Sequence, residues 1–163
     1  MYKELVAELR NITSEIEEYN ENDPRSSILD ARIVDVMRMA DRMAWLCKKE
    51  GLLRLREEIN TYINTFPCID VLKQMITLVA DGMDPELVRE FAVARYYALN
   101  LHAHDALAVM IYIEFTRNLQ KGVDPYVIEE LILAIVPWHI EKEYREMAKH
   151  EKETDWYKAE VHE

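Results

Sequence analysis

The tetrapeptide Gly-x-Asp-Pro occurs twice, at Gly82–Pro85 and Gly122–Pro125, in a chain of 163 residues with only three glycines and five prolines. Each residue of it suits a helix boundary. Glycine takes the left-handed conformation that closes a helix at little cost. The aspartate carboxylate accepts free amide hydrogens in the first turn of the next helix. Proline fits the first helical position, where its φ is already right and no donor is lost. An acidic residue such as Glu86 then favours the positive helix end. Gly82, Asp84, Pro85, Gly122, Asp124 and Pro125 are thus structural caps, and each set predicts an αα-hairpin of antiparallel neighbours. Asp23-Pro24 repeats the second half of the motif. The copies, "LVADGMDPELVREFAVA" from Leu78 and "NLQKGVDPYVIEELILA" from Asn118, lie 40 residues apart and match in character at Leu87/Val127, Val88/Ile128, Glu90/Glu130 and Phe91/Leu131. Two separate uses of capping chemistry predict the same hairpins as a two-copy repeat, and two copies do not establish a solenoid.

Between these breaks the apolar period is helical throughout, and no alternating β-branched run persists. The spacing predicts helices over 2–19, 26–49, 69–81, 85–100, 102–121, 125–136 and 138–157. Leu52, Leu53, Leu55, Ile59 and Ile63 extend the second pattern past Gly51, which interrupts the helix without ending it, a bend or tight turn there being the equal alternative; Thr65, Phe66 and Pro67 form the next break. The expected fold is all-α, a compact bundle of about six to seven helices built from antiparallel αα-hairpins. One domain covers 1–150. A charged, fraying tail covers 151–163, with Trp156 and Tyr157 free to dock on the body or on another chain.

Net charge is −11, which disfavours nucleic acid and anionic membrane because both need clustered Lys and Arg. A protein partner, with basic surfaces among the candidates, suits this balance better. Cys47 and Cys68 lack metal-ligand spacing and sit in apolar contexts, as free thiols of a reduced cytosol do. The N-terminal stretch has no apolar core of a signal peptide. The most apolar stretches, Ala106–Phe115 and Leu131–Trp138, fall short of the ~20 residues a membrane span needs. The expectation is a soluble, cytoplasmic protein.

Among residues that carry chemistry, His102, His104 and Asp105 offer metal-ligand types, and Glu114 and His139 join them only if packing brings them together. No Glu-x-x-His motif occurs, so the usual bundle metal site is missing from the sequence. Asp35 and Asp41 form no recognisable acid–base pair. Met37, Met39 and Met43, beside Trp45, form a stripe that serves as core or as an adaptable groove. Ile140, Tyr144 and Met147 give the last helix a narrow seam for one neighbour or for a dimer partner, a second copy of the chain. No nucleophile–base pair, phosphate loop or Cys/His cluster is visible, so neither a cofactor nor enzymatic activity is expected. The basic cluster Lys48, Lys49, Arg54 and Arg56, followed by Glu57, is set in an acidic chain; it reads as a partner-binding surface or as a solvated face with pairs such as Arg54–Glu58.

The stretch from Ile33 to Ala94, through "ADRMAWLCKKEGLLRLREEI" and "LKQMITLVADGMDPELVREF", resembles the cytoplasmic segment of the flagellar stator protein MotA and its relatives. Members carry four membrane helices around this segment and contact the rotor through a basic and an acidic residue. Lys48 matches the basic residue; Arg56 stands where the family has the acidic one, with Glu57 and Glu58 following at once. No membrane helix flanks the stretch here, so the resemblance implies an interaction surface on a helical scaffold and not ion conduction.

Overall fold

The computed structural model describes residues 1–62 and 66–153, and among these every regular element is helical. A short 3-10 turn at Lys3–Leu5 leads into α1 (Val6–Asn22), α2 (Ser26–Glu50), α3 (Leu52–Ile59), α4 (Ile69–Ala80), α5 (Pro85–Leu99), α6 (Ala103–Gln120), α7 (Pro125–Leu133) and α8 (Trp138–Glu153). Ile63, Thr65, Trp156 and Tyr157 lie outside the described residues. None of the described helices is long and apolar enough to cross a membrane.

The all-α bundle is as expected, but it has eight helices because Gly51 separates α2 from α3. Gly51 adopts φ +90°, ψ 173°, a combination open in practice only to glycine. Its amide closes α2 on the Cys47 carbonyl at 2.8 Å, and its own carbonyl accepts the Leu55 amide at 3.1 Å. The apolar period continues across the break because Leu55 and Ile59 still face the core, buried like Met43 and Ala44 before them. Period alone therefore concealed a change of direction.

Both Gly-x-Asp-Pro turns make the same set of bonds. The Gly82 amide reaches the Val79 carbonyl and the Met83 amide the Leu78 carbonyl, each at 3.0 Å; Gly122 to Leu119 and Val123 to Asn118 repeat this at 3.0 and 3.1 Å. That is a Schellman closure at each helix end. The Asp84 carboxylate then accepts the Glu86 amide at 2.9 Å, and Asp124 accepts that of Tyr126 at 3.0 Å. Asp23 accepts the Arg25 amide at 2.8 Å in the same way, although regular helix begins only at Ser26.

Helix α6 is the centre. From Ala106 to Thr116 each side chain is buried, so it has no solvent face and must be covered on all sides. α1, α2, α4, α5 and α7 pack around it, α3 lies on α2 and α4, and α8 lies on α2. The stretch Ala106–Phe115, too short for a bilayer, is thus the axis of the core. The Met37, Met39 and Met43 stripe is buried core, and the α8 seam buries Ile140 and Tyr144.

A substitution at Gly51 tests the break. An added Cβ would meet nothing within 4 Å, so the cost is conformational only. Gly51→Ala should lower unfolding free energy by about 1–3 kcal/mol, read by urea denaturation. Gly82→Asn, at φ +78°, should change it by a few tenths, because Asn tolerates the left-handed region.

Candidate functional site

The structure gathers the basic cluster and both capping turns at one end of the bundle. Lys48, in the last turn of α2, donates from Nζ to Asp124 Oδ2 at 2.7 Å. Arg56 on α3 donates to Asp81 Oδ1 at 2.6 Å, next to Gly82. Gln120, at the end of α6, donates from its amide to the Met83 carbonyl at 2.9 Å and ties one turn to the other. Trp45 meets Tyr126 edge-on with ring centroids 4.8 Å apart, and the Lys48 ammonium stands 5.3 Å from the Trp45 ring. Segments 76 and 25 residues apart in sequence are joined by these two ion pairs.

Much of the basic charge proposed for a partner is therefore spent inside the chain. Arg54 pairs with Glu50 at 3.2 Å and Glu58 at 3.1 Å along its own helix, while Lys49 and Glu57 are exposed. Beside the exposed charges of Lys49, Glu57 and Lys121, this end also presents apolar side chains. Leu53, Leu87, Tyr126 and Val127 are each about half exposed or more. Leu87 and Val127 occupy equivalent positions after the two Asp-Pro caps. Asp124 serves two donors at once: the Lys48 ammonium, and then the Tyr126 amide, hold its carboxyl below the usual carboxylate range.

The histidine region divides. His102 is exposed, with Nδ1 3.8 Å from Glu15 Oε1; Asp105 faces outward and His104 is buried. These three residues form no common site. Glu114, also buried, bonds Asn118 Nδ2 at 3.1 Å and Arg117 Nη1 at 3.2 Å. His139 goes elsewhere, to Asp30.

Asp30 and Asn20 are the polar groups that sequence alone missed. Asp30 is 6% exposed and takes His104 Nε2 on one oxygen at 2.8 Å and His139 Nε2 on the other at 3.1 Å. The Asn20 amide lies 2.7 Å from that same His139 nitrogen, and the Tyr19 ring meets His104 edge-on at 6.1 Å between centroids. Which neighbour His139 bonds depends on whether Nε2 carries its proton. Losing the His104 bond would leave the buried Asp30 carboxylate short of a partner, at a cost on the order of 1–3 kcal/mol, so Asp30 pins α6 to α2, with the partly exposed His139 of α8 beside it. Nothing local distinguishes Asp30 from the exposed Asp35 five positions later; only contact across 74 residues does. Burial and the nearby Asp30 carboxylate push the Glu143 carboxyl up, one turn beyond His139. Among the described residues no group of three His, Cys, Asp or Glu is arranged to hold a metal ion.

Cys47 and Cys68 are free and half-buried, and burial raises both thiols. Comparison with protein-family models, with curated proteins and with solved structures returned no match.

The Lys48–Asp124 pair has a pH signature. Because the folded carboxyl titrates below its ordinary value, the pair's contribution is in force above that ordinary value. It is lost as pH falls through the folded one. Lys48→Met should raise the Asp124 pKa towards that of a free aspartate, followed by carboxyl 13C NMR titration. An unchanged midpoint would show that the pair does not form in solution.

Proposed function

We propose that this chain is a non-enzymatic, cytosolic protein-interaction scaffold. Its docking surface is the end of the bundle where both Gly-x-Asp-Pro turns meet α2 and α3. The carrying observation is the convergence at that end of exposed Leu53, Leu87, Tyr126 and Val127 around two internally neutralised ion pairs, Lys48–Asp124 and Arg56–Asp81. Ion pairs of this kind join the turns to α2 and α3, so a partner covering the apolar side chains meets Lys48 and Arg56 already paired. Half-exposed aromatic and aliphatic residues held on short, capped turns are well suited to anchoring an interface.

Two further points support the reading. The resemblance to the MotA cytoplasmic segment covers Lys48, the first capping turn and α3, which is the same surface. The net charge of −11 suits a partner whose apolar patch is flanked by basic residues. A second copy of this chain would satisfy the apolar part of that requirement but not the charge.

Placing a photo-crosslinking amino acid at Leu87, at Tyr126 or at Ile28 tests this in the native host. All three positions are more than half exposed, and Ile28 sits near the start of α2, away from the turns. The expected result is an adduct of one mass from Leu87 and Tyr126 and none from Ile28. An adduct at twice the chain's mass identifies a second copy as the occupant. Equal labelling from all three positions, or none from any, contradicts the assignment.

A further inference from the structure

Helix α8 is seated on α2 by a cluster of polar groups, none of which belongs to the docking end. Near its start, His139 Nε2 lies 3.1 Å from Asp30 Oδ2, while His104 of α6 holds Oδ1 at 2.8 Å. Asp30 is 6% exposed. With both imidazoles neutral it is a buried anion, a costly state to maintain.

The geometry fixes where the first proton of each ring sits. A bare ring nitrogen facing a carboxylate oxygen at these distances would oppose two lone pairs, so each Nε2 carries hydrogen and donates to Asp30. Asn20 of α1 agrees with this for His139. Its amide lies 2.7 Å from the same Nε2, and its Oδ1 is buried without a partner. Turning the amide over sets that oxygen against the Nε2 hydrogen and gives it a donor.

The rings differ in where a second proton can go. His104 Nδ1 is buried with no partner, so a hydrogen there would be a donor with nothing to bond. The His139 side chain is 38% exposed, and its other nitrogen takes a proton from water without that cost. Protonation of His139 turns its bond to Asp30 into an imidazolium–carboxylate pair and offsets the buried charge.

The charges around the seat favour the same proton. Glu143, one turn along α8, has its carboxyl pushed up by burial first and then by Asp30, with Asp35 and Glu146 adding to this and His139 opposing it. Farther along, Glu129 of α7 accepts the Tyr144 hydroxyl at 2.7 Å and Glu130 takes Arg145, while Arg38 of α2 pairs with Asp35 and Glu151. Both guanidiniums are thus engaged by carboxylates of their own.

We propose that α8 is a proton-controlled cover, held on α2 through Asp30 when His139 is protonated and released more readily when His139 is neutral. What it covers is apolar. Tyr144 closes a recess lined by Met37 of α2 and by Ile128, Ile132 and Leu133 of α7, so opening α8 bares a strip between those two helices. A proton held more tightly with α8 seated strengthens the seat in mild acid and is lost as pH rises through the imidazole range. The cover uses none of the residues at the docking end and stands independently of it.

Hydrogen exchange of the full chain at about pH 6 and about pH 8, on either side of the imidazole range, measures this through the amides of 141–148. After correction for the intrinsic pH dependence of exchange, their protection should be about tenfold higher at the lower pH. His139→Gln keeps a side-chain donor for Asp30 but cannot be charged. Its α8 should show, at both values, the protection that the unaltered chain has at the higher one. Equal protection of the unaltered α8 at both values, or a difference that survives His139→Gln, would overturn the proposal. So would complete loss of α8 protection in the variant, which would mark His139 as a structural contact only.

Discussion

Helix α6 has no face to give to water, and the rest of the molecule is arranged to cover it. Val109, Met110, Ile111, Tyr112 and Ile113 are five consecutive residues with at most 1% exposure, so neighbours are needed around the whole circumference. α1, α2, α4, α5 and α7 supply them. Burial on this scale makes internal partners valuable to the few polar groups on α6, although His104 Nδ1 and Thr116 Oγ1 are buried without a hydrogen bond. His104 takes Asp30 of α2, and Asn118 takes Glu114 one turn earlier. The Tyr112 hydroxyl reaches across to the Pro67 carbonyl at 2.7 Å and thereby ties down the approach to α4.

The same helix sets the distance between the two ends of the bundle. Its first residue, Ala103, binds Glu15, and its last, Gln120, joins the two capping turns through Met83. Eighteen residues at 1.5 Å each separate these ends by about 27 Å. The Glu15–Ala103 contact and the two capping turns therefore sit at opposite ends of one rigid element. Fixed turns at one end come from ion pairs between segments; fixed carboxylate orientation at the other comes from a backbone amide.

Local chemistry was readable in advance, and long-range pairing was not. Gly82–Pro85 and Gly122–Pro125 act as caps because glycine, aspartate and proline each have a conformational or donor–acceptor role that neighbours four residues away suffice to satisfy. Gly51 was harder: apolar period reports which face is buried, and α2 and α3 bury a continuous face while turning between helices. Lys48 and Arg56 stood out as a basic cluster, but only the fold reveals that Asp124 and Asp81 accept their charge. The opposite error arose with His102, His104 and Asp105, neighbours in sequence that diverge in space. Asp30 and Asn20 carry no sequence signal at all, since an aspartate or an asparagine on a helix gains its meaning from what packs over it.

Hydrogen–deuterium exchange of the whole chain, resolved by residue, tests most directly the claim that everything is organised around α6. Amides of 106–116 should exchange only through global unfolding and be the slowest in the protein, with α8, which lies on α2 and bonds Glu129 and Glu130 of α7 from the edge of the bundle, opening more readily. Exchange of α6 at the rate of α8, or a slowest core located in α3 and α4 instead, would contradict the account.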